Sequence, residues 1–240
     1  MNYLYFGLVC FFASLLQSII GFGFAIISMP LLILIFPAKT MAAVLALSSL
    51  VSRLQVVYKM KKYINFEIII IPIIASLVGR TLGINLLMVL NEEILKLILS
   101  LTIILIAAYF IFFRKKYKIK ANSINGSIFG MLSGVLGGMF NTGGPPIVTY
   151  YLSVLSDKYT YAGSIQFTFV IGNLYSVILH TIYGNFDISA ISLVLISIFS
   201  VTLGSFIGCK VVKKVENINR LVYISMILIT IFIIADNLIN

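Results

Sequence analysis

Charged side chains are scarce in this chain, and acidic ones are the scarcest. Only 10% of its 240 residues are charged, and 7 of them are Asp or Glu, whereas a soluble domain carries about 25% charged residues. One histidine and two cysteines complete a short inventory of reactive groups. An intramembrane hydrolase needs a nucleophile–base pair or a set of metal ligands. These absences therefore argue against an enzyme, a metal site and a bound cofactor.

Apolar runs take the place of the missing charge. The chain is 61% hydrophobic, and runs near 20 residues recur along it, which is typical of membrane-spanning helices. The N-terminal run lacks a basic region and a cleavage site, so we interpret it as membrane domain and not as a signal peptide. The chain is predicted to be an all-α, multi-pass protein of the lipid bilayer. Its eight apolar segments are 3–36, 40–57, 68–90, 94–113, 124–155, 160–183, 188–209 and 221–239.

The net charge of +10 is typical of a nucleic-acid-binding protein, but its distribution is not. The basic residues are placed in short loops between apolar segments, as in the cytoplasmic loops of membrane proteins. No nucleic-acid partner is expected. Cys10 and Cys209 both lie in apolar segments, which predicts a packing role and no disulfide.

The two halves of the chain resemble each other at an offset of 120 residues. The stretch "IIGFGFAIISMPLL" (19–32) aligns with "MFNTGGPPIVTYYL" (139–152), and Arg53 aligns with Asn173. With a small insertion, "GRTLG" (79–83) aligns with "GSFIG" (204–208). The shared order of these weak matches predicts an internal repeat. We expect each Gly-xxx-Gly to be a helix-packing surface.

The distribution of basic residues discriminates between two topologies. If every apolar segment crossed once, the loop residues would divide eight against seven, without the bias expected of a membrane protein. If segments 3–36 and 124–155 are hairpins, loops 58–67, 114–123, 156–159 and 210–220 share one side. That side then carries thirteen basic residues and the other carries two. The hairpins could be re-entrant or pairs of thin crossings, since both give this parity.

The hairpin topology makes the two repeats inverted. Each repeat is predicted to hold a Gly/Pro-broken helical hairpin and three transmembrane helices, in one transport domain over 1–240. Repeat 1 covers 1–113, a basic cytoplasmic loop covers 114–123, and repeat 2 covers 124–240. Inverted repeats with broken helices that meet near the midplane are common in secondary transporters.

The stretch "NTGGPP" (141–146) is the densest backbone break in the chain. A proline suits the first turn of a new half-helix, whose free N–H groups and positive dipole end attract an anion. The stretch "GFGF" (21–24) would face it from the other repeat. The alternative is that these glycines only pack or kink helices. The predicted substrate-binding residues are Gly21, Phe22, Gly23, Arg53, Arg80, Asn141, Thr142, Gly143, Gly144, Pro145, Pro146 and Asn173.

Ionisable residues inside a membrane are costly and tend to be functional. Arg80 is placed near the centre of its segment, whereas Arg53 is close enough to a loop to snorkel to the surface. His180 is near an outer helix end and is expected to be an interfacial hydrogen-bonding group. No Asp or Glu is placed in the middle of a segment. Basic groups without acids favour an anionic substrate.

The motifs "IIGFGFAIISMPLL" and "GGMFNTGGPPIVTYYL", in a small duplicated membrane protein, resemble the TauE/SafE family of sulfite exporters. The family's first motif falls on Gly21, Gly23 and Pro30, and its second on Gly138, Gly143, Gly144 and Pro145. The resemblance implies a transporter of the bacterial inner membrane that carries sulfite or an organosulfonate.

The leading hypothesis is a secondary transporter of a small anion that works by alternating access. A transporter of another small anion, and a membrane scaffold subunit that transports nothing, are the alternatives. A scaffold would not need the Gly-Pro break or a central Arg80.

Overall fold

The computed structural model describes residues 3–20, 23–112, 119–186 and 188–211, and these form a bundle of α-helices. Five of the described helices are long and apolar enough to cross a membrane. The predicted apolar segment 221–239 lies outside the described residues. The helices are α1 (Tyr3–Ile20), α2 (Phe24–Leu32), α3 (Ala38–Met60), α4 (Phe66–Val89), α5 (Glu92–Phe112), α6 (Ser123–Phe140), α7 (Gly144–Val154), α8 (Lys158–Ile182) and α9 (Ile188–Val211).

Polar side chains in the loops cap the N-termini of several of these helices. Asn65, Asn122 and Asp157 each accept a hydrogen bond from a backbone N–H in the first turn of α4, α6 and α8. Such caps satisfy N–H groups that have no partner inside the helix. At the start of α3 the cap comes from another helix, because the Glu92 carboxylate accepts from the Ala38 N–H at 3.1 Å.

The two long apolar segments are both helical hairpins, as the charge count predicted. Their second arms, α2 and α7, contain nine and eleven residues, or about 14 and 17 Å of helix, too short for a hydrocarbon core of about 30 Å. Each second arm returns to the level where its first arm began. Tyr5 donates to the Leu31 carbonyl at 3.1 Å, and Tyr150 donates to the Asn122 carbonyl at 3.5 Å.

The break in the second hairpin is an ordered turn. Asn141 adopts a left-handed conformation with φ of 58°, which asparagine tolerates better than most residues. Its N–H donates to the Gly137 carbonyl at 3.0 Å, and the Thr142 N–H donates to the Leu136 carbonyl at 3.2 Å. The carbonyls of Leu136 and Gly137 in the last two turns of α6 are therefore satisfied by the turn. In the first hairpin, Gly23 has φ of 104°, which glycine accepts without steric cost.

The first arm of each hairpin packs in parallel against a helix from the other half of the chain. Along α4 and α6, residues 72, 76 and 80 lie against glycines 130, 134 and 138. Along α9 and α1, Gly204 contacts Ser14, and Gly208 contacts Leu15 and Ser18. Added Cβ atoms at these glycines would meet backbone or side chain of the partner helix. Both predicted Gly-xxx-Gly stretches, 79–83 on α4 and 204–208 on α9, are thus helix-packing surfaces.

Helices α3 and α8 run antiparallel through the middle of the bundle. At one end, the rings of Tyr63 and Tyr159 stack at 5.2 Å, and the Asn65 N–H donates to Ser164 at 3.0 Å. About two turns further into the bundle, Arg53 donates to Gln166 at 3.2 Å. These two helices are the pair that the 120-residue offset aligns.

The loops gather at two ends of the bundle. Loops around 58–67, 119–123 and 155–159 share one end, which carries most of the described Lys residues. Lys39, Met88 and Asn185 meet at the opposite end, where the Lys39 ammonium donates to the Met88 carbonyl at 2.9 Å. Buried Cys10 contributes to the apolar core, as predicted, whereas the Cys209 side chain lies outside the described part.

Candidate functional site

A cavity lies where both hairpin breaks meet the middle of α3 and α8. Residues from both halves of the chain line it: Gly23, Phe24, Ala25, Ile26, Arg53, Arg80, Asn141, Thr142, Gly143, Gly144, Phe169 and Asn173. The cavity has room for about one water molecule. A larger ligand therefore requires the hairpin tips to move apart.

The N-terminal tip of α7 presents free backbone N–H groups to this cavity, and three carbonyls around its turn accept hydrogen bonds. The Gly143 carbonyl accepts from the Ser133 hydroxyl at 2.6 Å, and the carbonyls of Leu136 and Gly137 accept from the turn. In the described part of the chain, the N–H groups of Gly143 and Gly144 have no hydrogen-bond partner. A helix N-terminus with free N–H groups attracts negative charge.

The tip of α2 faces the same cavity from the other hairpin. One of its N–H groups, that of Phe24, donates to the Gln17 side chain at 3.2 Å. The N–H groups of Ala25 and Ile26 lack a partner among the described residues, and both residues line the cavity. The two short helices thus aim their positive ends at one space.

Arg80 reaches the cavity from α4 and is 3% exposed. Its Nη1 donates to Ser176 at 2.7 Å and to the Gly137 carbonyl at 3.4 Å. Two glycines give the guanidinium its room: a Cβ at Gly172 would lie 2.5 Å from Nε, and one at Gly137 would lie 3.0 Å from Nη2. The guanidinium is therefore held in one position between α6 and α8.

Arg53 is 8% exposed and lines the cavity from α3. Its guanidinium stacks over the Phe169 ring at 4.2 Å and donates to Gln166. Snorkelling to the surface, expected from its place near a loop, is wrong. The aromatic ring and the amide of α8 offer the cation partners inside the bundle, which keep it there.

The buried side-chain atoms without a hydrogen-bond partner in the described structure are Nε of Arg53, Nε of Arg80 and Nδ2 of Asn173. All three are donors, and all three residues line the cavity. The acidic residues that the structure describes (Glu67, Glu92, Glu93 and Asp157) are not buried. The two guanidinium charges thus have no carboxylate partner in this part of the chain. Unpaired buried donors are costly, and a bound acceptor would remove that cost.

Eight of the twelve residues predicted to bind substrate line this one cavity: Gly23, Arg53, Arg80, Asn141, Thr142, Gly143, Gly144 and Asn173. Pro145 and Pro146 begin α7 behind the tip and do not line it. Gly21 and Phe22 lie outside the described residues. Asn141 donates to Ser49 of α3 at 3.3 Å, which ties the turn to the central helices.

Several residues of the site escaped the sequence analysis. Phe169 lines the cavity, and Ser176 and Gly172 position Arg80. A signal was present, because Phe169, Asn173 and Ser176 are spaced by four and three and share a helix face. The sequence does not show which face of this helix turns inward, so the spacing alone does not distinguish these three residues from packing residues.

His180 lies one turn further along α8 and is 1% exposed. Its ring nitrogen Nδ1 pairs with the Asn185 side chain at 2.9 Å, at the end of the bundle opposite the basic loops. It is a hydrogen-bonding group of this end, as expected, and it does not line the cavity.

Comparison with known protein families supports what the motifs suggested. Residues 6–233 match the family described as "Sulfite exporter TauE/SafE". No curated protein and no solved structure matches the chain significantly. Because the family match covers nearly the whole chain, including both hairpins and the cavity, the resemblance read from the two motifs is confirmed. The chain therefore belongs to the sulfite exporter TauE/SafE family, a family of membrane transporters and not of enzymes.

Proposed function

We propose that this protein is a secondary transporter of a small oxyanion, sulfite or an organosulfonate, and that the anion binds in the cavity between the hairpin tips. One observation carries the proposal. Two buried guanidinium groups and the N-termini of two half-helices face one space, without a described carboxylate near it. The family name supplies the substrate class.

The proposed site binds its ligand by electrostatics alone. Arg53 and Arg80 supply two charges, and the tips of α2 and α7 supply fixed dipoles and free N–H groups. Asn173 adds an unpaired amide donor in the same cavity. In a site shielded from water, such donors bind an anion strongly because they need no reorganisation.

We also propose that the chain is one transport domain made of two inverted repeats. The hairpin of each half packs against a helix of the other half, and α3 lies antiparallel to its counterpart α8. Two equivalent helices that run in opposite directions support an axis in the membrane plane. The repeats would cover 1–113 and 124–240, with the basic loop 114–123 between them.

This arrangement supports alternating access. The α1–α2 hairpin enters the bundle from one end and the α6–α7 hairpin from the other, and their tips close the cavity together. Movement of one hairpin away from α3 and α8 would open the cavity to one side only. Because the cavity is this small, the hairpin tips must separate before the anion can enter.

The basic end of the bundle is proposed to be cytoplasmic, in a bacterial inner membrane. Cytoplasmic loops are enriched in Lys and Arg, and loops 58–67 and 155–159 share that end. A single cysteine in place of Lys62 or Lys158, in a variant without Cys10 and Cys209, should react with a permeant reagent only. A cysteine at Asn91 should react with an impermeant reagent. Labelling of Lys62 and Lys158 positions from opposite sides would contradict this topology.

Counterflow in proteoliposomes tests the transport function. Protein-dependent exchange of labelled sulfite, sulfoacetate or taurine is expected, and the Arg53→Gln variant should lose at least about tenfold in rate because a buried charge that meets the anion is gone. Lys59→Gln removes the same charge from the exposed basic end and serves as the matched control. A Gly143→Leu variant should also be inactive, since its Cβ would collide with the Ser133 carbonyl of α6 and displace the tip.

The outcomes separate the alternatives. Exchange of labelled sulfite by the wild type and the control, but not by Arg53→Gln, supports the proposed site. Equal exchange by Arg53→Gln and Lys59→Gln would show that the anion binds elsewhere. Absence of exchange for every anion, with correctly folded protein, would favour the scaffold subunit.

A further inference from the structure

A six-residue stretch occurs twice in the chain, once after each of the two central helices. The first, "YINFEI" (63–68), follows α3, and the second, "YGNFDI" (183–188), follows α8, at the same offset of 120 residues that relates the hairpins. Tyr, Asn, Phe and Ile keep their places, and the fifth position is acidic in both. Because α3 and α8 run antiparallel, the basic-end turn (63–66) and the far-end turn (183–186) lie at opposite ends of the bundle.

Each turn packs with the hairpin that enters the bundle from its own end. Ile64 of the basic-end turn packs against the apolar cluster that contains Ile147 and Tyr151 of α7. Phe186 of the far-end turn packs against the cluster that contains Leu32 of α2. The repeated turns therefore connect each hairpin to the central helices, one on either side of the cavity.

Resting on the proposed function, we infer that the two turns are a matched pair of latches, each of which holds the hairpin of its own end closed over the cavity. Release of the basic-end latch opens the cavity to the basic end, and release of the far-end latch opens it to the other. Access from one side at a time then requires that only one latch is released.

The basic-end latch is held by a ring stack and a hydrogen bond to the first turns of α8. The rings of Tyr63 and Tyr159 stack at 5.2 Å with an angle of 24° between their planes. The Asn65 N–H donates to the buried hydroxyl of Ser164 at 3.0 Å. Both contacts join the end of α3 to the equivalent helix of the other half.

The far-end latch is held by a side-chain amide. Nδ2 of Asn185 pairs with Nδ1 of His180 at 2.9 Å and donates to the sulfur of Met88, on α4, at 3.3 Å. The carbonyl of Met88 also accepts from Lys39, in the first turn of α3, at 2.9 Å. Met88 thus joins this turn to the start of α3.

The two latches use different contacts because the residues opposite the turns differ between the halves. At the offset of 120, Ser164 corresponds to Val44, which has no hydroxyl group. Tyr159 corresponds to Lys39, which has no ring to stack. A substitution can therefore release one latch and leave the other intact.

Chemical labelling from each side tests the latches without transport. Ala25 lines the cavity and is 4% exposed. A cysteine at this position, in a variant without Cys10 and Cys209, therefore reports access to the cavity. Its reaction with an impermeant thiol reagent is measured in right-side-out and in inside-out membrane vesicles, so that each end of the bundle faces the reagent in turn.

Each variant should change the labelling rate from one end only. Asn185→Leu keeps the side-chain volume but removes the amide, and should make labelling from the far end roughly threefold to tenfold faster. Met88→Leu removes only a weak sulfur acceptor and conserves volume, so about a twofold increase is expected at the same end. Tyr159→Leu removes the ring stack and should accelerate labelling from the basic end by roughly twofold to tenfold.

Two controls make the same changes outside the latches. Asn91→Leu lies at the far end, and Tyr58→Leu replaces a tyrosine that is 75% exposed near the basic end. Both should label at the rate of the unsubstituted reporter. Controls that label as fast as the latch variants would show a general loosening of the bundle and would overturn both latches.

The remaining outcomes decide each latch separately. Labelling accelerated at both ends or at neither, in both Asn185→Leu and the conservative Met88→Leu, overturns the far-end latch, and the same result in Tyr159→Leu overturns the basic-end latch. One-sided acceleration without exchange of labelled sulfite means that the proposed function fails and the latches stand. Sulfite exchange by the wild type, with no acceleration in any variant, means the reverse.

Discussion

Replacement of Gly172 by alanine should strongly slow transport by displacing Arg80. Gly172 does not line the cavity, so the added methyl group would not touch the anion. It would lie 2.5 Å from Nε of Arg80, 2.7 Å from Nη2 and 2.8 Å from Cζ. Ordinary contact begins near 3.4 Å, so the guanidinium must retreat by about 0.9 Å. That movement works against the 2.7 Å hydrogen bond to Ser176 on the same helix.

The magnitude follows from this displacement. A misplacement of about 1 Å in a binding group can cost about a hundredfold in rate, so we expect the exchange of labelled sulfite to fall by roughly that factor. The helix itself should not suffer, because alanine in place of glycine in a helix interior favours it by roughly 0.5–1 kcal/mol. Transport is therefore expected to fall without a matching loss of thermal stability in detergent.

Alanine substitutions at two further glycines should give smaller losses of transport than Gly172→Ala. A Cβ at Gly137 would lie 3.0 Å from Nη2 of Arg80, so Gly137→Ala needs a shift of about 0.4 Å and should be less severe. A Cβ at Gly126 would first meet Pro72 at 3.3 Å and no atom of Arg80, so Gly126→Ala is the control. Wild-type exchange by Gly172→Ala would refute the reasoning, as would equal losses in Gly172→Ala and Gly126→Ala.

Three more predictions follow from the contacts. Phe169→Leu removes the ring beneath Arg53 and should weaken sulfite binding by about 1–2 kcal/mol, measured as a higher half-saturating concentration; Phe169→Tyr should restore it. Gly83→Ala places a methyl group against the Val135 carbonyl of α6 and should destabilise the helix pair by about 1–3 kcal/mol, seen as a lower unfolding temperature; an unchanged temperature would contradict the packing role. At Asp157, hydrogen bonds from Thr160 lower the pKa of the carboxyl group. The stabilisation of α8 by this cap is therefore fully present above the ordinary pKa of about 3.9, and it is lost as the pH falls through the lower pKa of the folded state. Asp157→Asn should remove this acid dependence from the unfolding curve.

Much of the fold was predictable because it depends on local properties. Helices appear within a few residues of the predicted apolar segments, since hydropathy and length set which segments can cross a membrane. The hairpins at 3–36 and 124–155 were predicted from the distribution of basic residues. The Gly-xxx-Gly surfaces at 79–83 and 204–208 were recognisable because close helix approach needs small residues.

The site was less predictable because it depends on which helix faces turn inward. Arg53 was expected to snorkel, since distance to a loop is visible in a sequence and the Phe169 ring that stacks on it is not. The contributions of Gly137 and Gly172 were hidden for the same reason. Both glycines leave room for a side chain from another helix, and no local pattern records that neighbour.

The amino-acid sequence alone determined that this chain is a membrane protein with two broken hairpins, because hydropathy, glycine, proline and charge act along the chain. It also supplied the motifs by which the family is recognised. Only the tertiary structure decided that the breaks at 23 and 141–144 face one cavity, and that Arg53 and Arg80 enter it from two helices. The convergence of these groups is a property of packing between distant segments, and both arginines take their partners from the other half of the chain.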